Sequence, residues 1–271
     1  MLHYLGYFAA IFIGLALGIM GGGGSILTVP VLVYLMGVSP VLSTAYSLFV
    51  VGSTSVVGAS GYFRKGLVSL KTAVVFLIPS LVSVFLVRKV LMPAIPHELF
   101  TVGRLVFTKD LLVLVAFAVL MVGAATSMIR SQPAAVAVDE EVQPQAFNYP
   151  LILGIGLVVG ALTGFVGAGG GFLIIPALVL GARLPMKLAV GTSLAIIALN
   201  SLIGFTSDLS AGTPIAWPFL LGFLAFALGG IVLGTHLARF IPGARLKPAF
   251  GWFTLAIGTF ILTKELLFHH G

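Results

Sequence analysis

The sequence predicts an all-α polytopic membrane protein built from two inverted-topology repeats, and three observations lead there. Of 271 residues, 59% are hydrophobic and 8% charged, with mean hydropathy +1.21, against about 25% charged in an ordinary soluble domain. Apolar runs such as Leu111 to Met128 approach the roughly 20 residues that cross a bilayer's hydrocarbon core. An ungapped shift of 146 residues lays Gly14 to Gly58 on Gly160 to Gly204 with 14 identities over 45 positions. Shared hydrophobicity alone does not align six glycines, a proline and two serines without a gap, so the halves are read as a duplication.

Each half carries the same series of segments. They run Leu5 to Met20, Ile26 to Met36, Val41 to Gly61, Leu70 to Met92 and Leu111 to Met128, then Leu151 to Val166, Phe172 to Leu180, Leu188 to Thr206, Ile215 to Phe240 and Phe250 to Leu262. The second segment of each half, about 10 residues at 1.5 Å rise, reaches only about half the membrane. With the glycines before it, it reads as the returning limb of a broken, re-entrant hairpin, leaving about three transmembrane helices per repeat. Residues 1–130 form the first repeat, the polar, proline-bearing stretch 131–150 a linker, and 151–271 the second repeat.

Charge sets the expected sidedness. Arg64, Lys65 and Lys71, Arg183 with Lys187, and Arg239 with Arg245 and Lys247 all fall on the cytoplasmic side of one topology. Three crossings per half invert the second half, put both termini outside and leave the linker cytoplasmic. Counting the hairpin limbs as full spans gives the same loop sides. The first segment lacks a charged n-region and an A-x-A site and is expected to be retained. The net charge of +7 is spread singly or in pairs between apolar runs, so no nucleic-acid partner is expected. The absence of cysteine excludes disulfides and thiolate chemistry.

The glycine clusters carry the functional expectation. Gly21, Gly22, Gly23 and Gly24, followed by Ser25, and Gly167, Gly169, Gly170 and Gly171 oppose helix formation just before each short limb. Successive amides there can converge on one point, and the short helix adds its positive end, a combination that favours an anion. Inverted repeats with broken helices near the midplane are a recurring transporter design. Ser25 can cap its helix or donate to the ligand. Gly14, Gly18 and Gly22, and Gly156, Gly160 and Gly164, are spaced by four and read as helix-packing positions.

On the third segments Ser47 shares a face with Thr54, and Ser193 with Asn200, each pair two helical turns apart. Uncharged donors suit an anion that must bind and leave, although Ser and Thr also bond their own helix or a neighbour. Asn200 is costlier to bury and is favoured as functional. Asp208 is placed at the outer end of its helix, and Arg88 with Lys89 near the outer end of theirs, where they attract anions or snorkel to headgroups. No central carboxylate stands out for a proton relay.

At these residues the sequence resembles the TauE/SafE family of sulfite exporters, over nearly the whole chain. The resemblance rests on "GGGGSILTVPVL" and "GAGGGFLIIPAL", on "AYSL" and "GTSL", on "GYFRKGLVSLK", and on "FTKDLLVLVAFAVLMVGAATSMIRS". It implies a plasma-membrane permease of small anions such as sulfite, sulfonates or other organosulfur acids. No cofactor and no metal are expected. The halves differ at Phe100 to Asp110, which has no counterpart, and at Gly229 to Ala238, which meets a glycine-free stretch.

Rival readings are weaker. His3, His97, His236, His269 and His270 lie at termini, loops or segment ends, so no Ser–His pair for an intramembrane enzyme suggests itself. Ser25 follows its glycines without a lysine, which argues against ATP hydrolysis. A passive anion channel is the main alternative, since the same dipole ends could line a pore. A structural scaffold leaves the duplicated glycines unexplained. The expected partners are a small anion and the bilayer, and the sequence leaves room for a homo-oligomer.

Overall fold

The apolar runs break at the glycine clusters and change to π-helical turns after Pro30 and Pro176, while Pro79 and Pro248 stand inside continuous helices. The computed structural model describes residues 2–96, 98–102, 105–130, 149–167, 170–241 and 243–268. The linker other than Tyr149 and Pro150, and with it Gly169 of the second glycine cluster, lies outside the described residues.

Helix α1 spans Leu2–Met20 and α2 Gly23–Pro30; α3 spans Pro40–Arg64, α4 Leu70–Leu86 and the short α5 Met92–Ala94. After strands β1 (Glu98–Val102) and β2 (Leu105–Thr108) comes α6, Lys109–Arg130. The second half repeats the series as α7 (Tyr149–Val166), α8 (Gly171–Pro176), α9 (Met186–Ser210), α10 (Trp217–Leu237) and α11 (Gly243–Phe268). Six of the described helical stretches are long and apolar enough to cross a membrane: Pro40–Arg64, Leu70–Ala94, Lys109–Ser127, Tyr149–Val166, Met186–Ser210 and Trp217–Phe240. The chain is a helical polytopic membrane protein. Large side chains such as Phe8, Ile78, Leu157, Val232 and Trp252 are exposed on its outside, where lipid rather than water is the natural neighbour.

Local geometry recurs at the 146-residue offset. Pro30 and Pro176 lack the N–H that an α-helix needs, and after each the chain continues in a π-helical turn, Val31–Leu35 and Ala177–Gly181. Met36 N–H donates to the Val31 carbonyl and Ala182 N–H to the Ala177 carbonyl, both at 3.2 Å. Val38 N–H to Leu32 and Leu184 N–H to Leu178 are both 3.0 Å. Each short limb is thus longer than its uninterrupted apolar run, ending at Leu35 and Gly181.

Packing is exchanged between the halves. Helix α1 lies along α10 and α7 along α4, while α3 meets α9, α6 meets α11 and α2 meets α8. The spaced glycines sit in these seams. A methyl at Gly14 or Gly18 would strike the α10 backbone at Ala227 or Gly234, and one at Gly156 or Gly160 the α4 backbone at Phe76 or Ser80. This close backbone approach is what small residues supply in lipid, where no hydrophobic drive joins helices. Polar links also cross: the Thr192 hydroxyl accepts the Ser69 N–H at 2.9 Å, and the Tyr46 hydroxyl the Ala216 N–H at 2.8 Å.

One departure from the all-helical expectation is the antiparallel pair β1–β2, with Phe100 facing Phe107 and Val102 facing Leu105 in register. It begins at Glu98 and otherwise falls in Phe100 to Asp110, the stretch without a counterpart in the second half.

Candidate functional site

Helices α1 and α7 end alike at their glycines, while α2 starts after Gly22 at φ −96° and α8 after Gly170 at φ +64°. Helix α1 closes with the Gly21 N–H donating to Leu17 at 2.8 Å, and α7 with the Gly167 N–H donating to Thr163 at 2.8 Å. At both glycines φ turns positive, +73° and +71°, a conformation that side chains with a Cβ rarely adopt. The starts of α2 and α8 touch. A methyl at Gly22 would overlap the Gly171 backbone, and one at Gly171 would lie 2.5 Å from Gly22 Cα. Gly23 forms the first turn of α2. Gly24 packs on Ile13 and Leu17 of α1, and Gly170 on Thr163 of α7.

Each turn rests on a long helix of the other half. A Cβ on Gly21 would lie 2.9 Å from Ser193 Oγ and 3.1 Å from Val190 on α9, and one on Gly167 would overlap Thr44 on α3 and Arg88 Nη2. Position 44 corresponds to 190 at the repeat offset, so the two seats are equivalent in backbone and different in chemistry.

The polar residues divide into occupied and free. Ser25 Oγ donates to the Gly22 carbonyl at 2.6 Å, so it neither caps α2 as expected nor stands open to a ligand. Thr54 Oγ1 bonds back to Val50 at 2.7 Å and Ser193 Oγ to Val190 at 2.9 Å. Asn200 Nδ2 donates to Ser80 Oγ on α4 at 2.9 Å, a helix-to-helix bond. Among the described residues, the buried hydroxyls of Ser47, Ser55, Ser201 and Thr163 have no partner.

The largest difference from expectation is Arg88. Sequence placed it near a helix end with snorkelling as an option; in the structure it is 2% exposed, inside a π-helical turn (Val87–Leu91) between α4 and α5. Its Nη1 lies 3.0 Å from Asp208 Oδ2 and 3.1 Å from Thr44 Oγ1. Around this pair the end is closed: Lys109 Nζ donates to the Met92 carbonyl, and Asp110 Oδ1 accepts the Val41 N–H at 3.1 Å. Both residues follow directly on β2. A signal for Arg88 and Asp208 existed in the repeat, which sets them on neutral Gly234 and Tyr62.

The equivalent place in the first turn is open. A cavity of about 150 Å³ is lined by Tyr62, Lys65, Leu67, Lys187, Val190, Ala238 and Arg239, and Val190 is the residue on which Gly21 rests. A shallower depression of about 360 Å³ lies along α7 at Pro150, Leu151, Gly154, Ile155, Val158 and Val159, away from the glycine turns. Among the described residues no three of His, Cys, Asp and Glu come together as a metal site would require.

With this geometry in view, comparison with known proteins gives one family. The description "Sulfite exporter TauE/SafE" matches residues 6–261. The chain belongs to the TauE/SafE family. A "Probable membrane transporter protein" of Xylella fastidiosa (strain Temecula1) is 29% identical over 263 residues, 93% of this chain and 92% of that one. "Probable membrane transporter protein YunE" of Bacillus subtilis (strain 168) is 28% identical over 82% of this chain and 83% of its own. No solved structure matches. The TauE/SafE chain described here is a multi-pass membrane transporter, and the names of its relatives point to transport rather than catalysis.

Proposed function

We propose that this TauE/SafE protein is a secondary permease of small anions, of the sulfite or sulfonate type, working by alternating access at a site between its two glycine turns. The observation that carries the reading is the backbone contact of Gly22 with Gly171. It brings two non-helical turns and the positive starts of two short helical limbs to one place, which suits a small anion. The halves 1–130 and 151–271, inverted about the 131–150 linker, each supply one of the two turns. The membrane is the cell membrane, with both termini outside and the linker in the cytoplasm.

Alternating access is supported by the unlike surroundings of the two turns. From the basic, cytoplasmic end a cavity reaches Val190 beside Gly21, while at the matching positions by Gly167 the Arg88–Asp208 pair fills the space. This corresponds to a state open inward and closed outward.

The test is flux of radiolabelled sulfite, thiosulfate and methanesulfonate into proteoliposomes. Saturable uptake with counterflow, lost in folded Gly22→Leu and Gly171→Leu, is the expected result. Flux that does not saturate and shows no counterflow would replace the carrier by a passive anion channel. Absence of flux for all three anions would remove the sulfur-anion assignment.

A further inference from the structure

Arg88 holds one bonding edge in reserve. Its Nη1 is committed to Asp208 and Thr44, but Nε and Nη2 are buried without a partner among the described residues. In the planar guanidinium these two N–H groups leave the same side, the fork that grips two oxygens of an oxyanion at once. A dry interior rarely leaves charged donors unmade, because each loses its water without return.

The open edge is directed at the second glycine turn. Arg88 Nη2 takes up the space that a Cβ on Gly167 would fill. Thr163 Oγ1, also buried and unpartnered, stands where a Cβ on Gly170 would be. The equivalent positions in the first half's surroundings, Gly234 and Leu17, offer no donor, so the arrangement is one-sided and not a by-product of duplication.

We propose that the Nε–H and Nη2–H edge of Arg88 holds the transported oxyanion beside Gly167 and Thr163, with Asp208 as a fixed counter-charge that keeps affinity low enough for release. The proposal rests on the reading of the glycine turns as the anion site. Since Asp208 uses only Nη1, the anion binds without breaking the ion pair. Lysine at this position keeps the charge and loses the fork.

The experiment is titration of sulfite, thiosulfate and methanesulfonate into the purified protein in nanodiscs, reading the binding isotherm and the anion-dependent rise in melting temperature. Arg88→Lys is expected to weaken binding at least tenfold. Asp208→Asn is expected to tighten it several-fold and to enlarge the anion's thermal shift, a change that an ion pair with a merely structural role would not produce. The double variant Arg88→Gln/Asp208→Asn removes both charges together, avoids a buried orphan, and is expected to fold and not bind. A folded double variant that binds like wild type overturns the assignment of Arg88. If Gly22→Leu abolishes binding at the same time, the glycine-turn site survives that failure. Asp208→Asn with unchanged affinity also overturns the proposal, and absence of binding to wild type by all three anions overturns both readings.

Discussion

The phenol of Tyr62 donates to the carbonyl of Gly18 at 3.0 Å, fastening the end of α3 to α1 within a turn of the first glycine turn. At the corresponding place in the second half stands Asp208, which holds Arg88 instead. Tyr62→Phe removes one buried hydrogen bond and little volume, so it should cost about 1 kcal/mol. Thermal unfolding in detergent should show a lower melting temperature with unchanged helix content.

Gly22→Ala inserts a methyl into the Gly171 backbone, and neither side can yield as a flexible side chain would. The two turns must separate, and counterflow should fall at least tenfold in protein that still elutes as a single species. Gly123→Ala is the control: it lies in α6 with nothing near the added methyl. It should leave transport intact and gain up to about 1 kcal/mol from helix propensity.

Ser47 Oγ is buried and makes no hydrogen bond. Ser47→Ala therefore loses no internal bond, and stability should hold or rise by up to about 1 kcal/mol. If this hydroxyl serves the passing anion, KM should rise several-fold while the melting temperature does not fall. An unchanged KM would take Ser47 out of the site.

The cavity beside Val190 has Lys65, Lys187 and Arg239 at its rim, all exposed. Exposed charge acts on approaching anions through a field that salt screens over about 8 Å at physiological ionic strength. Replacing all three by Gln should slow transport from that side several-fold at low salt. The difference should shrink towards nothing in 0.5 M salt, on the order of a 4 Å screening length.

The fold was legible wherever local rules decide it. The segments Val41 to Gly61 and Leu188 to Thr206 lie inside α3 and α9, because apolar length and proline placement mark such helices without tertiary information. Spaced glycines found their seams for the same reason. What sequence did not give was partner choice. Thr54 and Asn200 looked like ligand donors, yet one bonds its own helix and the other Ser80, 120 residues away. Arg88 and Asp208 are also 120 residues apart, and each alone resembles a helix-end charge. Only the exchange of packing between the halves, here α9 against α4 and the turn that follows it, brings this distant chemistry together, and no periodicity records it.

That exchange reaches back to how such a molecule could arise. Neither half owns a complete interior, since the groove on α10 is filled by α1 and that on α4 by α7. A single ancestral copy would have left its glycine-lined seam facing lipid until a second copy supplied the missing helix. If the halves arose by duplication, dimerisation would precede fusion, and the stretch 131–150 would make that pairing independent of concentration. A chain severed there and co-expressed as two fragments has the surfaces to find itself again.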